Sequence, residues 1–97
     1  MGKRIQTPVD PQVQASLSNA IAVLHSNGYV HGDLRPQNIL VVGDTVRILY
    51  FDWAGMEGSA RYPKELNMEN EWHHDVRCDG VITKEHDEYE VRRIFSE

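Results

Sequence analysis

The chain is short of cysteine, of basic residues and of long apolar runs. Its one cysteine, Cys78, excludes an internal disulfide framework and fits a reducing compartment. Ten Lys and Arg stand against fifteen Asp and Glu, for a formal net charge of -5. That excludes a general nucleic-acid binder, whose phosphate contacts need a basic surface. The longest apolar runs, such as NILVV, are far too short to cross a bilayer, so no membrane partner is expected. The N-terminal MGKRIQTPVD has two early positive charges but no apolar stretch behind them, unlike a signal peptide. Gly2 follows Met1, yet Lys3, Arg4 and the lack of Ser or Thr at position 6 argue against myristoylation. Together these absences lead us to expect an intracellular, cytoplasmic protein. Repeats, low-complexity segments and a dividing linker are absent too.

What is present is an ordinary globular composition. The 97 residues are 40% hydrophobic and 26% charged, enough for one small domain. Residues 1–9 read as a flexible lead-in and residues 10–97 as a single domain. Asp10-Pro11 is a helix start, with a capping carboxylate and a proline at the first helical position. Val13, Leu17, Ala20, Ile21 and Leu24 then recur at spacings of three and four, which predicts an amphipathic helix from Pro11 to Ser26. Gly28 ends it. Ile39 to Val42 and TVRILYF (45–51) read as strands, joined at Gly43-Asp44 as a hairpin. DWAGMEGSARYP reads as a loop, and residues 64–82 as irregular. Thr83 can cap a last helix from Lys84 to about Phe95, with acidic residues early and Arg92 and Arg93 late.

Between the first helix and the hairpin lies VHGDLRPQNIL. Pro36 should block a helix here and push Arg35 into an extended conformation. The spacing His31-x-Asp33-x-x-x-x-Asn38 is informative. A carboxylate such as Asp33 can receive a hydroxyl proton, and an amide such as Asn38 can ligate a metal ion carrying phosphates. Asp52, at the end of the following hairpin, can bind the same metal. That order of groups is what phosphoryl transfer around magnesium requires.

HGDLRPQNIL resembles the catalytic loop of the protein-kinase fold, H-R-D-L-x-x-x-N. FDWAG is similar to the metal-binding segment that follows it, ARYPKELN to the end of the activation segment, and EHDEYE to the start of the central C-lobe helix. The motif style is closest to divergent fungal kinase-like proteins and to aminoglycoside-phosphotransferase-like kinases. The resemblance implies an α+β fragment of a kinase-like C-lobe: helix, catalytic loop, hairpin, irregular segment, helix. It implies ATP and Mg2+ as cofactors, Asp33 as catalytic base, Arg35 directed at phosphate, and Asn38 and Asp52 as cofactor and metal ligands. It also implies that His31 packs under the loop and that Asp87 braces it.

The pattern departs from the family in places. Gly32 stands where an arginine usually reads activation-loop phosphorylation. In one register Tyr50, not Asp52, falls on the metal position, and a neutral phenol is a poor ligand for a hard cation. In an ideal strand both side chains share a face, so spacing leaves the two registers open. Only nine residues precede the Asp10 cap of the first helix, and no G-x-G-x-x-G or braced strand lysine is among them. Catalysis by this chain alone is therefore not expected. An alternative of another class is a non-catalytic interaction module of pseudokinase type. Its exposed loop–hairpin face would meet a protein partner or a second copy.

His73, His74 and Cys78, with Asp75 and Asp79, offer possible zinc ligands. Adjacent histidines point apart in either a helix or a strand, and a second well-spaced pair is lacking, so a solvated polar loop is the better reading. Trp53 and Trp72 with Tyr29, Tyr50, Tyr62 and Tyr89 are expected as core and contact residues. Arg92 and Arg93 are read as terminal helix charges.

Overall fold

A computed structural model of the chain describes residues 2–96. The first element is a short strand, β1 (Lys3–Arg4), followed by helix α1 (Pro11–Ser26). Asp10 starts the helix as expected: its Oδ1 accepts from the Gln12 N–H at 2.9 Å, and Pro11 holds the first helical position. Val13, Leu17, Ile21 and His25, one every four residues, face inward. Gly28, at φ +83°, lets the chain turn out of the helix.

Strand β2 (Tyr29–Val30) leads into the loop that holds His31 and Asp33. A 3₁₀ turn (Pro36–Asn38) closes that loop before β3 (Ile39–Val42) and β4 (Thr45–Ile48). Arg35 is extended, as the following proline demands, but Pro36 does not prevent helical structure. It begins the 3₁₀ turn, at a position where no N–H is needed. β3 and β4 form the expected antiparallel hairpin, with Ile39 opposite Ile48 and Val42 opposite Thr45.

Residues 1–9 were expected to be a free lead-in, yet they contribute a strand. Lys3 and Arg4 pair antiparallel with Val41 and Leu40, and Ile5 donates its N–H to the Ile39 carbonyl at 2.9 Å. Ile5 and Val9 are buried. Two apolar residues four apart are too sparse a pattern to mark a strand. The three-stranded sheet has the order β1-β3-β4. The expected DWAG loop contains β5 (Gly55–Met56), which pairs with β2 in a second, two-stranded sheet.

From there to residue 83 the chain is irregular, apart from a bridge between Arg61 and Val81. Helix α2 (Lys84–Ser96) then begins at Thr83 as expected. The Thr83 hydroxyl accepts from the His86 N–H, and His86 Nδ1 accepts from the Thr83 N–H, both at 3.2 Å. This is a capping box with histidine in the place of the usual glutamate. Among the described residues, two helices and two small sheets thus make an α+β fold. Among the described residues, no helix is long and apolar enough to cross a membrane.

The core has two parts. One lies between α1, the hairpin sheet and α2, and is aliphatic: Leu17, Ile21, Leu34, Ile39, Val91 and Ile94 belong to it. The other lies under the irregular segment, where Val30, Tyr62, Val76 and Ile82 pack with Trp53 and Trp72. The aromatic rings of Trp53, Tyr62 and Trp72 stand 5.8–6.4 Å apart, as core and contact residues should. Tyr29 and Tyr50 are exposed.

Candidate functional site

The loop from His31 to Asn38 is fixed from both sides. From below, Asp87 on α2 is almost wholly buried. Its Oδ2 accepts from the His31 N–H at 2.9 Å, and its Oδ1 from the Gly32 N–H at 2.8 Å. The same Oδ2 meets His25 Nε2, from the last turn of α1, at 2.9 Å. One carboxylate therefore joins both helices to the loop. The sequence had no direct pointer to His25 in this role. Its signal was position: it continues the inward row of Val13, Leu17 and Ile21.

His31 is fully buried beneath the loop. Its Nδ1 accepts from the Asp33 N–H at 3.0 Å, and Nε2 donates to the Leu49 carbonyl at 3.0 Å. Burial lowers its pKa, against the raising influences of the Leu49 carbonyl, Asp87 and Asp33. The ring is thereby held neutral and in one tautomer. It ties the loop to the end of the hairpin, where Phe51 stands edge-on to it at 4.8 Å.

From within, Asn38 closes the loop. Its Nδ2 donates to the Asp33 carbonyl at 2.8 Å, and its N–H donates to the Arg35 carbonyl at 2.8 Å. That leaves Oδ1 as the side-chain atom able to meet a cation. The Asp33 side chain is 13% exposed, and its Oδ1 accepts from Arg35 Nε at 2.9 Å. Asp33, Arg35 and Asn38 are therefore brought together. Asp52 stands exposed past the end of the hairpin and joins none of these bonds.

Strand alternation does not govern the two registers for the metal position. β4 ends at Ile48, and Tyr50 takes a left-handed conformation at φ +57°. Residues 50 and 52 do not alternate as in a strand. Gly32 has φ +86°, and a Cβ there would lie 2.6 Å from Ile82 Cδ1. The place of a side chain at Gly32 is thus taken by Ile82 of the second core.

A polar cavity of about 290 Å3 opens beside the loop, lined by Arg35, Gln37, Asn70, Glu71, Glu90 and Arg93 among others. Arg93 is more than a terminal helix charge. It donates to the Glu71 carbonyl at 2.8 Å and to Glu90 Oε1 at 3.3 Å, pinning the irregular segment to α2. Burial raises the Glu90 carboxyl to about 7, although Arg93 and Arg35 pull the other way. The sequence signal for Glu90 was its place on the inward face of α2, three residues after Asp87 and four before Ile94.

Among the described residues, no three His, Cys, Asp or Glu side chains gather in a way that could hold an ion. His73 and His74 lie in neither a helix nor a strand, the two cases in which neighbouring side chains point apart, and their rings stack at 4.3 Å.

No family model matches the chain, and no solved structure matches it. It is 36% identical over 55 residues to the serine/threonine-protein kinase YabT of Bacillus subtilis, covering 57% of this chain and 16% of that protein. It is 38% identical over 69 residues to the serine/threonine-protein kinase PKH2 of Candida albicans, covering 70% and 7%. It is 40% identical over 53 residues to cyclin-dependent kinase F-3 of Oryza sativa, covering 55% and 12%. These partial matches support a kinase-like relationship at a coarse level. The chain spans less than a fifth of the length of any of these relatives.

Proposed function

We propose that the chain carries the catalytic loop of a protein-kinase-like phosphotransferase, of the C-lobe type. One observation carries this reading: a loop tied by His31, Asn38 and Asp87 holds a partly exposed carboxylate, Asp33, in one place. In this reading Asp33 orients an acceptor hydroxyl and takes its proton. Arg35 faces the transferred phosphate. Asn38 Oδ1 and the Asp52 carboxylate are hard oxygen donors, which suit Mg2+, and they would hold it with ATP. Bound ATP and Mg2+ supply the phosphoryl group and neutralise its charge. The 97 residues contain no G-x-G-x-x-G, so we read catalysis by them alone as absent.

The test is a melting curve with millimolar ATP and Mg2+. A ligand that binds the folded state raises the melting temperature. We expect a rise that Asp52→Ala abolishes and Tyr50→Phe retains. No rise in the wild type rejects the nucleotide reading.

A second reading, an interaction module, has its own observation. Val23, Tyr50 and Phe51 are all more than half exposed. An open apolar groove of about 390 Å3 is lined by Ala20, Val23, Leu24, Ile48 and Phe51. A face of that kind suits a protein partner or a second copy. Light scattering separates the readings: a dimer that Phe51→Glu dissociates, with no response to ATP, favours the module.

A further inference from the structure

Three buried histidines share one chemical state. His31 Nδ1 accepts from the Asp33 N–H, His73 Nδ1 from the Asp75 N–H, and His86 Nδ1 from the Thr83 N–H. A backbone N–H only donates, so each Nδ1 is bare and each neutral ring carries its proton on Nε2. A protonated ring has no acceptor left. Protonation of His31 or His86 at Nδ1 must therefore break the bond that the ring accepts from a backbone N–H.

His86 is the ring with most at stake. It is the third residue of α2, and its Nδ1 is half of the capping box. Its Nε2 is buried without a hydrogen-bond partner, and Asp75 Oδ2 lies 3.6 Å away. The groups around it come from every side. His73 lies 5.2 Å away and Tyr62 5.6 Å, ring centre to ring centre. Asp87 follows it on α2. His73 itself is stacked on His74, meets Tyr89 edge-on and faces Glu85 Oε2 at 3.6 Å. Burial and His73 lower the His86 pKa, while Asp75 and Asp87 raise it, and the lowering prevails. A cation in the first turn also opposes the helix dipole.

The next residue is Asp87, whose carboxylate holds the His31 and Gly32 amides. We propose that His86 is an acid-release latch: its neutral ring holds the start of α2 closed, and its protonation opens that end and frees the Asp33 loop from Asp87. This device is independent of whether the loop transfers phosphate.

The experiment compares the whole chain with its His86→Gln variant in urea at pH 7 and pH 5.5. Glutamine can accept the Thr83 N–H in a capping box and does not titrate. Glu90 titrates in the same range with the opposite sign, but equally in both proteins, so it cancels in the ratio. We expect the folding constant of the wild type, relative to the variant, to fall about threefold to eightfold between the two pH values. Eightfold is the approximate limit for a ring that takes up no proton while folded. An unchanged ratio overturns the latch.

A second measurement on the wild type covers a variant that fails to fold. Hydrogen exchange of the Thr83, His31 and Gly32 amides, corrected for intrinsic rates, should lose protection together at pH 5.5 while Leu17 in α1 keeps its own. Retained protection at those three amides, or equal loss at Leu17, overturns the proposal.

Discussion

The buried residues of the core beneath α1 are aliphatic, with Phe95 packed against them, whereas the core beneath the irregular segment sets Tyr62, Trp53 and Trp72 beside His73 and His86. In the first, regular elements bring the side chains together: every fourth residue of α1 and alternate residues of the hairpin point inward. In the second, the backbone has little regular pairing. Single side-chain bonds hold it, such as Trp72 Nε1 to the Asn67 carbonyl at 2.8 Å and Arg93 to the Glu71 carbonyl. Another such bond, from the Thr83 N–H to His86 Nδ1, loses its acceptor when the ring is protonated. A core built on packing alone holds no such group. The loop with Asp33 lies where the two regions meet, and Asp87 and Gly32 are the joints.

The sharpest way to break this arrangement is Asp87→Ala. It leaves the His31 and Gly32 amides buried without an acceptor and should cost on the order of 3–5 kcal/mol in urea unfolding. A loss below about 1 kcal/mol would show that the two regions hold together without the carboxylate. Next comes Leu17→Ala, a pure packing change in a fully buried position, expected to cost about 3 kcal/mol. That cost should be the same at pH 5.5 and pH 7, which is the contrast with the histidine region. Gly32→Ala strikes the other joint. Its φ of +86° and the contact with Ile82 should make it about 2 kcal/mol less stable. The new methyl group should perturb Ile82 resonances more than those of Leu17.

The smallest effect belongs to Glu90, and its sign opposes that of the histidines. Its folded pKa is raised to about 7 from the ordinary 4.5. The folded state therefore holds a proton that the unfolded chain releases between those values. The cost of ionising it in the fold sets in as the pH rises from 4.5 and is complete above 7. His31 and His86 have lowered values instead, so their cost sets in as the pH falls through 6.5. Glu90→Gln should stabilise the protein on the order of 1–2 kcal/mol at pH 8, after loss of the Arg93 hydrogen bond, and not at pH 4.5. Urea unfolding at the two pH values checks it.

Much of the regular half was legible from the residues. Asp10 and Pro11 marked the start of α1, Gly28 its end, and Gly43-Asp44 the hairpin turn, because caps and turns are decided by neighbours in the chain. β1 was not legible, since a two-residue edge strand has no period to read, and its partner β3 lies more than 35 residues on. β5 was hidden for the same reason inside a glycine-rich stretch. Of the candidate site, Asp33, Arg35 and Asn38 sit within six residues, and they do come together. Asp52 depended on how the chain leaves the hairpin, and the left-handed Tyr50 could not be foreseen from strand alternation.

The sequence by itself determined the two helices, the hairpin and the tight Asp33–Asn38 loop. Each of these rests on periodicity, capping or turn chemistry acting over a few residues. Only the tertiary structure decided what fixes that loop in space. The three bonds of the Asp87 carboxylate reach residues 55, 56 and 62 positions away. The room Ile82 needs over Gly32 is likewise made by packing. A buried carboxylate takes whichever donors the fold brings to it, and no local pattern records which those are.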